Sequence, residues 1–322
     1  MTASGRPIGR RVQCTTVRTG AGKVILRGAL ALAMAAMCAA GAEAKAYRIA
    51  LRAPGQAPTI LYAEEYGRGA PVLLVHGLGA STFTWRHIVP ALARSHRVIA
   101  LDLKGFGRSQ KPFGTRYAAA DQAALVAAFI NKRKLEGVTL VGHSFGGTVA
   151  LLTALKLRDE PWRIKRLVVI DAPALRQDFG TAAELLRVPG LPYVAMTATL
   201  PELMARLLLR VVSAPGRVVP ERDIRGYAAP FYDLGSRHAF IATAQAIFDH
   251  NTPRMGARYR AIRVPTLIVW CRRDRIVPLK TGRRLARLIP DARLAVIGRC
   301  NHLPQDEVPD ALLATLRPFL ND

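Results

Sequence analysis

Residues 140–147 read Leu-Val-Gly-His-Ser-Phe-Gly-Gly, a Gly-x-Ser-x-Gly motif centred on Ser144. A β-rich run over residues 137–141 precedes the motif, and an apolar run over residues 148–155 follows it. The two runs predict a strand and a buried helix. A serine on such a sharp strand-to-helix turn presents its hydroxyl outside the sheet, and the two glycines allow the tight bend. The motif therefore indicates a nucleophilic serine, provided that a base, an acid and oxyanion donors occur elsewhere.

Apolar strands alternate with helices on both sides of this motif, which predicts a mostly parallel sheet with helices on both faces. The carboxyl ends of parallel strands then lie at one edge, where ligands bind. Residues 174–257 interrupt the alternation with helical runs and prolines, and they predict a helical cap inserted after the sixth strand. The core would comprise residues 45–173 and 258–322, with one helix over residues 83–94. The predicted strands are 48–51, 59–63, 71–75, 97–102, 137–141, 166–171, 265–271 and 293–297.

Two candidate partners for Ser144 follow the last two predicted strands, namely Asp274 and His302. A serine hydroxyl becomes a good nucleophile when a histidine takes its proton and a carboxylate orients that histidine. The chain order of nucleophile, acid and base is the order that this type of sheet uses. We therefore expect His302 to act as the base and Asp274 as the acid, with Asp171 as the alternative acid because it also ends a strand near Ser144.

Two backbone N–H groups are candidates for stabilising an oxyanion. The N–H of Phe145 begins the helix after the serine, and that of Leu78 lies in the loop after the first buried strand. Histidines also occur in both places, but we expect His76 to be structural and His143 to pack in the core. We expect Asp102 to organise the turn of its glycine-rich loop.

Taken together, these motifs resemble those of the α/β-hydrolase family, a large group that includes carboxylesterases, lipase-like enzymes and carbon–carbon bond hydrolases. The resemblance implies a doubly wound α/β-hydrolase fold and a Ser144–Asp274–His302 catalytic triad. It implies no metal and no organic cofactor. The matching pieces are His76-Gly77-Leu78-Gly79, Asp102-x-x-Gly105-x-Gly107-x-Ser109, Gly142-His143-Ser144-Phe145-Gly146-Gly147, Pro265–Trp270 with Asp274 and Pro278, and His302-x-Pro304-x-x-Glu307-x-Pro309.

The activity that we expect is hydrolysis of a carboxylic ester of a small, largely apolar substrate through an acyl-enzyme. The same triad also serves carbon–carbon hydrolases of vinylogous diketones, thioesterases and amidases, and a non-catalytic binding module on this fold is a further alternative. The apolar composition of the insertion favours an apolar pocket, with Phe231, Tyr232 and Phe240 as candidate lining residues. Trp85 is expected to pack near the site.

Two positions depart from the family pattern. Cys271 stands where glycine is frequent, and Asn301 precedes His302 where glycine is usual. Asparagine tolerates left-handed backbone better than most residues, so the exchange need not disturb the histidine. Cys271 and Cys300 end predicted neighbouring strands, and in an exported protein a disulfide between them would fix the loops that carry Asp274 and His302. This disulfide is a hypothesis at this point.

The length, the net charge and the N-terminal residues limit the classes to which the protein can belong. The 322 residues are half hydrophobic and carry a net charge of +25, with 38 arginines. The charge fits either a solvated arginine-rich surface or attraction to an anionic membrane surface, and no nucleic-acid-binding motif occurs. Residues 1–44 contain basic residues and then an uncharged apolar run over 28–42, which predicts a signal peptide or an uncleaved anchor. We therefore expect an exported or anchored protein, whose oligomeric state the sequence does not determine.

Overall fold

The computed structural model describes residues 44–176, 184–185, 188–249 and 255–321. The predicted leader therefore lies outside the described residues, apart from Ala44 at its end. None of the helices within these ranges is long and apolar enough to span a bilayer. The strands are β1 (Lys45–Leu51), β2 (Thr59–Tyr66), β3 (Ala70–Val75), β4 (His96–Asp102), β5 (Val138–His143), β6 (Ile164–Ile170), β7 (Thr266–Cys271) and β8 (Ala292–Ile297). The helices are α1 (Val89–Leu92), α2 (Ala119–Lys132), α3 (Phe145–Lys156), α4 (Leu191–Ala198), α5 (Pro201–Val212), α6 (Glu221–Ala228), α7 (Leu234–Asp249), α8 (Met255–Arg258), α9 (Leu279–Leu288), α10 (Pro304–Glu307) and α11 (Pro309–Asn321).

The eight strands form one sheet in the order β1-β2-β4-β3-β5-β6-β7-β8. The β1–β2 and β2–β4 pairs are antiparallel, and every other pair is parallel. This arrangement confirms the predicted mostly parallel sheet. The strand β5 that leads to Ser144 lies inside the sheet between β3 and β6, so the loops that follow these parallel strands share one edge.

Side chains alternate between two hydrophobic layers along the central strands, as the pleat of a strand requires. In β3, Leu73 and Val75 belong to the layer that also contains side chains of α2, α3 and α9. Val72 and Leu74 belong to the opposite layer, together with side chains of α1 and α11. Because both faces of the sheet are covered, its central strands read as continuous apolar runs.

The single helix predicted over residues 83–94 is wrong. The structure has a 3₁₀ turn over Thr82–Trp85, in which the Ser81 hydroxyl accepts a hydrogen bond from the Phe83 N–H, and then the separate short helix α1. Pro90 explains the break. In the interior of a longer helix it would lack the N–H that the ladder needs, and its ring would clash with the carbonyl one turn earlier.

Between β6 and β7 the described residues form helices and turns but no strand. The predicted helical runs 200–212 and 237–248 correspond to α5 and α7. Helix α6 is joined to the core by an ion pair of 2.9 Å between Asp223 and Arg86, which follows the 3₁₀ turn after β3. The helical insertion is therefore present, whereas its boundaries as a separate cap at 174–257 stay a prediction.

Candidate active site

The backbone at Ser144 has the strained geometry that a serine on a sharp turn requires. Ser144 has φ +52° and ψ −125°, and it joins the end of β5 to the start of α3. A Cβ atom at Gly142 would lie 2.2 Å from the carbonyl oxygen of Gly146, so the turn tolerates only glycine there. Non-glycine residues rarely adopt positive φ, and such strain concentrates at functional sites. The turn holds the Ser144 side chain partly exposed above the sheet edge.

Ser144, His302 and Asp274 form one chain of hydrogen bonds. The His302 Nδ1–H donates to Asp274 Oδ2 over 2.8 Å, and His302 Nε2 lies 2.8 Å from Ser144 Oγ. Because the carboxylate can only accept, the imidazole proton lies on Nδ1, and Nε2 is then the acceptor for the serine hydroxyl proton. The structure thus brings the three predicted side chains together in the order Ser144, His302 and Asp274, which is the order that a nucleophile, a base and an acid require.

Asp274 is fixed by its own turn. Its Oδ1 accepts hydrogen bonds from the Ile276 and Val277 N–H groups, over 2.7 and 2.8 Å. This leaves Oδ2 to accept the hydrogen bond from the His302 Nδ1–H. An aspartate that bonds the backbone two and three residues ahead is a common loop former, and here it sets the direction of the carboxylate.

The alternative acid, Asp171, makes no hydrogen bond to His302. Its Oδ1 accepts the Cys271 N–H over 2.8 Å, while its Oδ2 is buried without a donor. Burial and the nearby Asp274 carboxylate raise the pKa of Asp171 well above its usual value, which favours the neutral acid. Asp171 therefore lies outside the hydrogen-bonded chain that contains Asp274.

The two predicted oxyanion donors lie beside Ser144. A Cβ atom at Gly77, the residue before Leu78, would be 3.0 Å from the Ser144 Cβ, so this loop is in direct contact with the turn. Within the described part of the chain, the N–H groups of Leu78 and Phe145 donate to no acceptor. Both are therefore free to bind an oxygen, and Phe145 adds the positive end of the α3 dipole.

Two buried histidines surround the site in supporting positions, as expected. His76 Nδ1–H donates to the Gly77 carbonyl, and Nε2 accepts the Leu103 N–H. His143 Nε2–H donates to the His302 carbonyl over 2.7 Å. Burial lowers the pKa of His76 to about 4 and that of His143 to about 3, so both rings are neutral near pH 7. They hold loop backbone and do not reach the Ser144 hydroxyl.

Asp102 organises its loop, also as expected. Its two oxygens accept the N–H groups of Thr82 and Arg108, over 2.6 and 2.7 Å. Burial raises the pKa of Asp102 to about 6. Because Thr82 lies after β3 and Arg108 lies after β4, the Asp102 carboxylate connects two loops at the edge of the sheet where Ser144 lies.

A disulfide joins Cys271 to Cys300, with 5.2 Å between the two Cα atoms. Both cysteines are buried. Cys271 ends β7 three residues before Asp274, and Cys300 follows β8 two residues before His302. The disulfide hypothesis is therefore confirmed, and the bond connects the loops that carry Asp274 and His302.

Two residues of the last loop do more than the sequence indicated. Asn301 is not left-handed, because the described non-glycine residues with positive φ are Lys134, Ser144 and Asp171. Its side chain makes hydrogen bonds to distant segments, which no local pattern signals. Glu307 accepts the backbone N–H groups of residues 301, 303 and 214. Glu307 could have been identified from the sequence, because it belongs to the motif that begins at His302.

Aromatic side chains of the insertion lie near the free N–H of Leu78. A Cβ atom at Gly79 would meet the ring of Phe240 at 2.9 Å and that of Phe231 at 3.3 Å, so both rings cover this loop. Tyr232, in contrast, is 65% exposed and bonds to Glu202, and its place in the lining stays a prediction. The described residues hold no group of three or more His, Cys, Asp or Glu side chains placed to bind a metal ion.

Known proteins resemble the chain over most of its length. Residues 70–309 match the family described as alpha/beta hydrolase fold. A 2-hydroxy-6-oxo-2,4-heptadienoate hydrolase from Pseudomonas putida is 33% identical over 269 residues, which are 80% of this chain and 91% of that protein.

Solved structures agree with this match. The meta-cleavage product hydrolase from Pseudomonas fluorescens superposes with a TM-score of 0.70 and 28% identity, covering 85% of this chain and 97% of that one. A thermophilic esterase from Thermogutta terrifontis superposes with a TM-score of 0.72 and 26% identity, covering 85% and 98%. The chain therefore belongs to the alpha/beta hydrolase fold family and is a hydrolase.

Proposed function

We propose that this hydrolase cleaves the carbon–carbon bond beside a ketone in substrates of the 2-hydroxy-6-oxo-dienoate type. The sequence alone favoured an ester and kept carbon–carbon cleavage as the alternative. The relative at 33% identity, which is named for a 2-hydroxy-6-oxo-dienoate substrate, favours that alternative. The observation that carries the chemistry is the hydrogen-bonded chain from Ser144 through His302 to Asp274.

The reaction needs a nucleophile, an oxyanion site and a proton donor. Ser144 Oγ attacks the ketone carbon while His302 Nε2 takes the hydroxyl proton, and the N–H groups of Leu78 and Phe145 bind the oxygen that becomes negative. Asp274 stabilises the imidazolium that forms. Each oxyanion donor in comparable sites contributes about 3 kcal/mol to the transition state.

Bond cleavage follows from the tetrahedral intermediate. In its keto form such a substrate is a vinylogous diketone, so the electron pair of the breaking carbon–carbon bond is delocalised onto the distant 2-oxygen. The His302 imidazolium returns its proton to the departing fragment, and the acyl group remains on Ser144. Water, activated by His302, then releases this acyl group as a carboxylic acid.

Ester hydrolysis is the second candidate function. The esterase from Thermogutta terrifontis supports it, because the fold superposes over 85% of this chain at 26% identity. The chemistry differs only in the leaving group, since an alkoxide replaces the delocalised carbanion. The aromatic rings of Phe231 and Phe240 near the Leu78 loop would favour an apolar acyl group in either reaction.

A substrate comparison tests the proposal. Purified protein is mixed with a 2-hydroxy-6-oxo-dienoate, whose conjugated chromophore disappears on cleavage, and separately with p-nitrophenyl esters of increasing acyl length. We expect kcat/KM for the dienoate to exceed that for every ester by about 100-fold, which corresponds to about 2.7 kcal/mol of transition-state binding. Faster ester turnover with no loss of the dienoate chromophore would replace carbon–carbon cleavage by the second candidate. Ser144→Ala is the control, because it should abolish both reactions.

The cellular location also remains a proposal. Disulfides persist in oxidising compartments, so the Cys271–Cys300 bond favours an exported or externally anchored protein. Cell fractionation with an antibody to the chain tests this, and recovery of the protein from the cytoplasm with free thiols at both positions would contradict it.

A further inference from the structure

Asn301 lies between the disulfide and the proposed base, and it is 1% exposed. Its side-chain Oδ1 accepts the N–H of Arg275, the residue after Asp274, over 2.8 Å. Its Nδ2 donates to the carbonyl oxygens of Val212 and Ser213, both over 3.0 Å, and a third carbonyl, that of Val211, lies at 3.3 Å. One side chain thus contacts the loop of the acid and the inserted helix α5.

The carbonyls that Asn301 contacts are those at the carboxyl end of α5, which have no partner within the helix and carry the negative end of its dipole. The backbone of the base joins the same end, because the His302 N–H donates to the Val212 carbonyl over 3.1 Å. The end of α5 is therefore bonded both to His302 and to the residue before it.

Glu307 completes the connection from the core side. Its carboxylate accepts the N–H groups of Asn301 over 3.2 Å and of Ala214 over 2.9 Å. Ala214 is the second residue after α5, so Glu307 bonds to the backbone on both sides of the contact between Asn301 and the end of α5. The loop of His302 and the end of α5 consequently form one hydrogen-bonded unit.

We propose that Asn301 is a positioning residue that couples the docking of α5 to the alignment of His302 and Asp274. This inference rests on the proposed roles of Ser144, His302 and Asp274. The chemistry of the side chain explains the choice of residue, since an amide offers a donor to carbonyls and an acceptor to an N–H at once. A glycine at position 301 would connect neither segment.

The coupling makes a specific kinetic prediction. Without the Asn301 side chain, the loop of Asp274 and the end of α5 lose the hydrogen bonds that connect them. The His302 ring is then no longer held in line with Ser144. Misplacement of a catalytic group by about 1 Å lowers rates by up to roughly 100-fold. We therefore expect Asn301→Ala to slow the chemical step and to leave the initial binding of a small reagent unchanged.

Covalent labelling of the full-length protein by a fluorophosphonate tests this, because the reagent reports Ser144 reactivity whichever bond the enzyme cleaves. Its concentration dependence separates binding, KI, from the maximal rate of modification. For Asn301→Ala we expect the maximal rate to fall roughly 10- to 100-fold with KI unchanged. Hydrogen exchange at the His302 N–H should become faster, since its bond to Val212 is loosened.

Gln122→Ala is the matched control. Gln122 is also a buried amide with hydrogen bonds to loop backbone, over 3.2 and 2.9 Å to Lys104, but none of its bonds reaches Ser144, His302 or Asp274. We expect this variant to be labelled at the wild-type rate. If it loses as much reactivity as Asn301→Ala, the effect is general destabilisation and the coupling is overturned.

A second variant, Asn301→Asp, keeps the proposal testable if Asn301→Ala fails to fold. Asn301→Asp keeps the shape and the acceptor for Arg275 but directs a carboxylate oxygen at the α5 carbonyls, so it should slow labelling as well. Wild-type labelling rates in both folded variants would overturn the coupling while leaving the proposed function intact. Absence of labelling in the unchanged protein would overturn the proposed function and the coupling with it.

Discussion

The disulfide between Cys271 and Cys300 gives a prediction with a magnitude set by the structure. The bond closes a loop over a sequence separation of 29 residues. Chain entropy in the unfolded state then predicts a stabilisation of about 3–4 kcal/mol. For a domain of this size each kcal/mol shifts the melting temperature by about 2–4 °C, so loss of the bond should lower it by roughly 10 °C.

The assay compares thermal unfolding of the oxidised protein, of the same protein with reductant present, and of the Cys271→Ala/Cys300→Ala double variant. The reduced protein isolates the effect of the cross-link, because the variant also removes two buried sulfur atoms. Hydrolysis by the folded variant should persist, since the hydrogen bond from the Arg275 N–H to Asn301 still joins the two loops. Equal unfolding midpoints with and without reductant would refute the reasoning.

Two further predictions concern pH and charge. Burial holds the pKa of His143 at about 3, below its unfolded value, so the contribution of this group to the free energy of unfolding falls as the pH drops below about 6.5. His143→Gln keeps a donor for the His302 carbonyl and removes the titrating group. Between pH 6 and pH 4 the slope of its unfolding free energy against pH should be smaller than that of the wild type by about 1.4 kcal/mol per pH unit. Parallel curves from urea unfolding of the two proteins would contradict this. The net charge of +25 and the exposed Leu203, Leu207 and Val211 on α5 predict binding to anionic lipid vesicles that weakens with salt. Co-sedimentation measures the fraction of protein bound to the vesicles. Binding that does not change with salt concentration or with lipid charge would exclude an electrostatic membrane contact.

The sheet and the positions of the candidate catalytic residues were predictable because their signals are local. Buried parallel strands read as apolar runs, and the Gly-x-Ser-x-Gly turn is encoded by two glycines that nothing larger can replace. The carboxyl ends of parallel strands share an edge, so residues after β7 and β8 had to approach Ser144. This topology identified His302 as the candidate base and both Asp274 and Asp171 as candidate acids, and the hydrogen bond from His302 to Asp274 distinguishes the two.

The rest depends on contacts between distant segments. The amide of Asn301 acts through carbonyls 88–90 residues away, and no pattern around position 301 points to them. The helix predicted over 83–94 is absent because Pro90 cannot lie in the interior of a helix and instead lies at the start of the short α1. The substrate was also beyond prediction, since the same nucleophile and base serve several leaving groups and the relatives favour a carbon–carbon bond.

The most direct test of the account is the mass of the protein after exposure to a fluorophosphonate, with the adduct mapped by peptide sequencing. The account predicts a single adduct on Ser144 that is absent in Ser144→Ala and that forms much more slowly in His302→Gln. An unmodified protein would contradict the central claim that His302 activates Ser144. So would an adduct at another residue, or labelling that is as fast without the histidine.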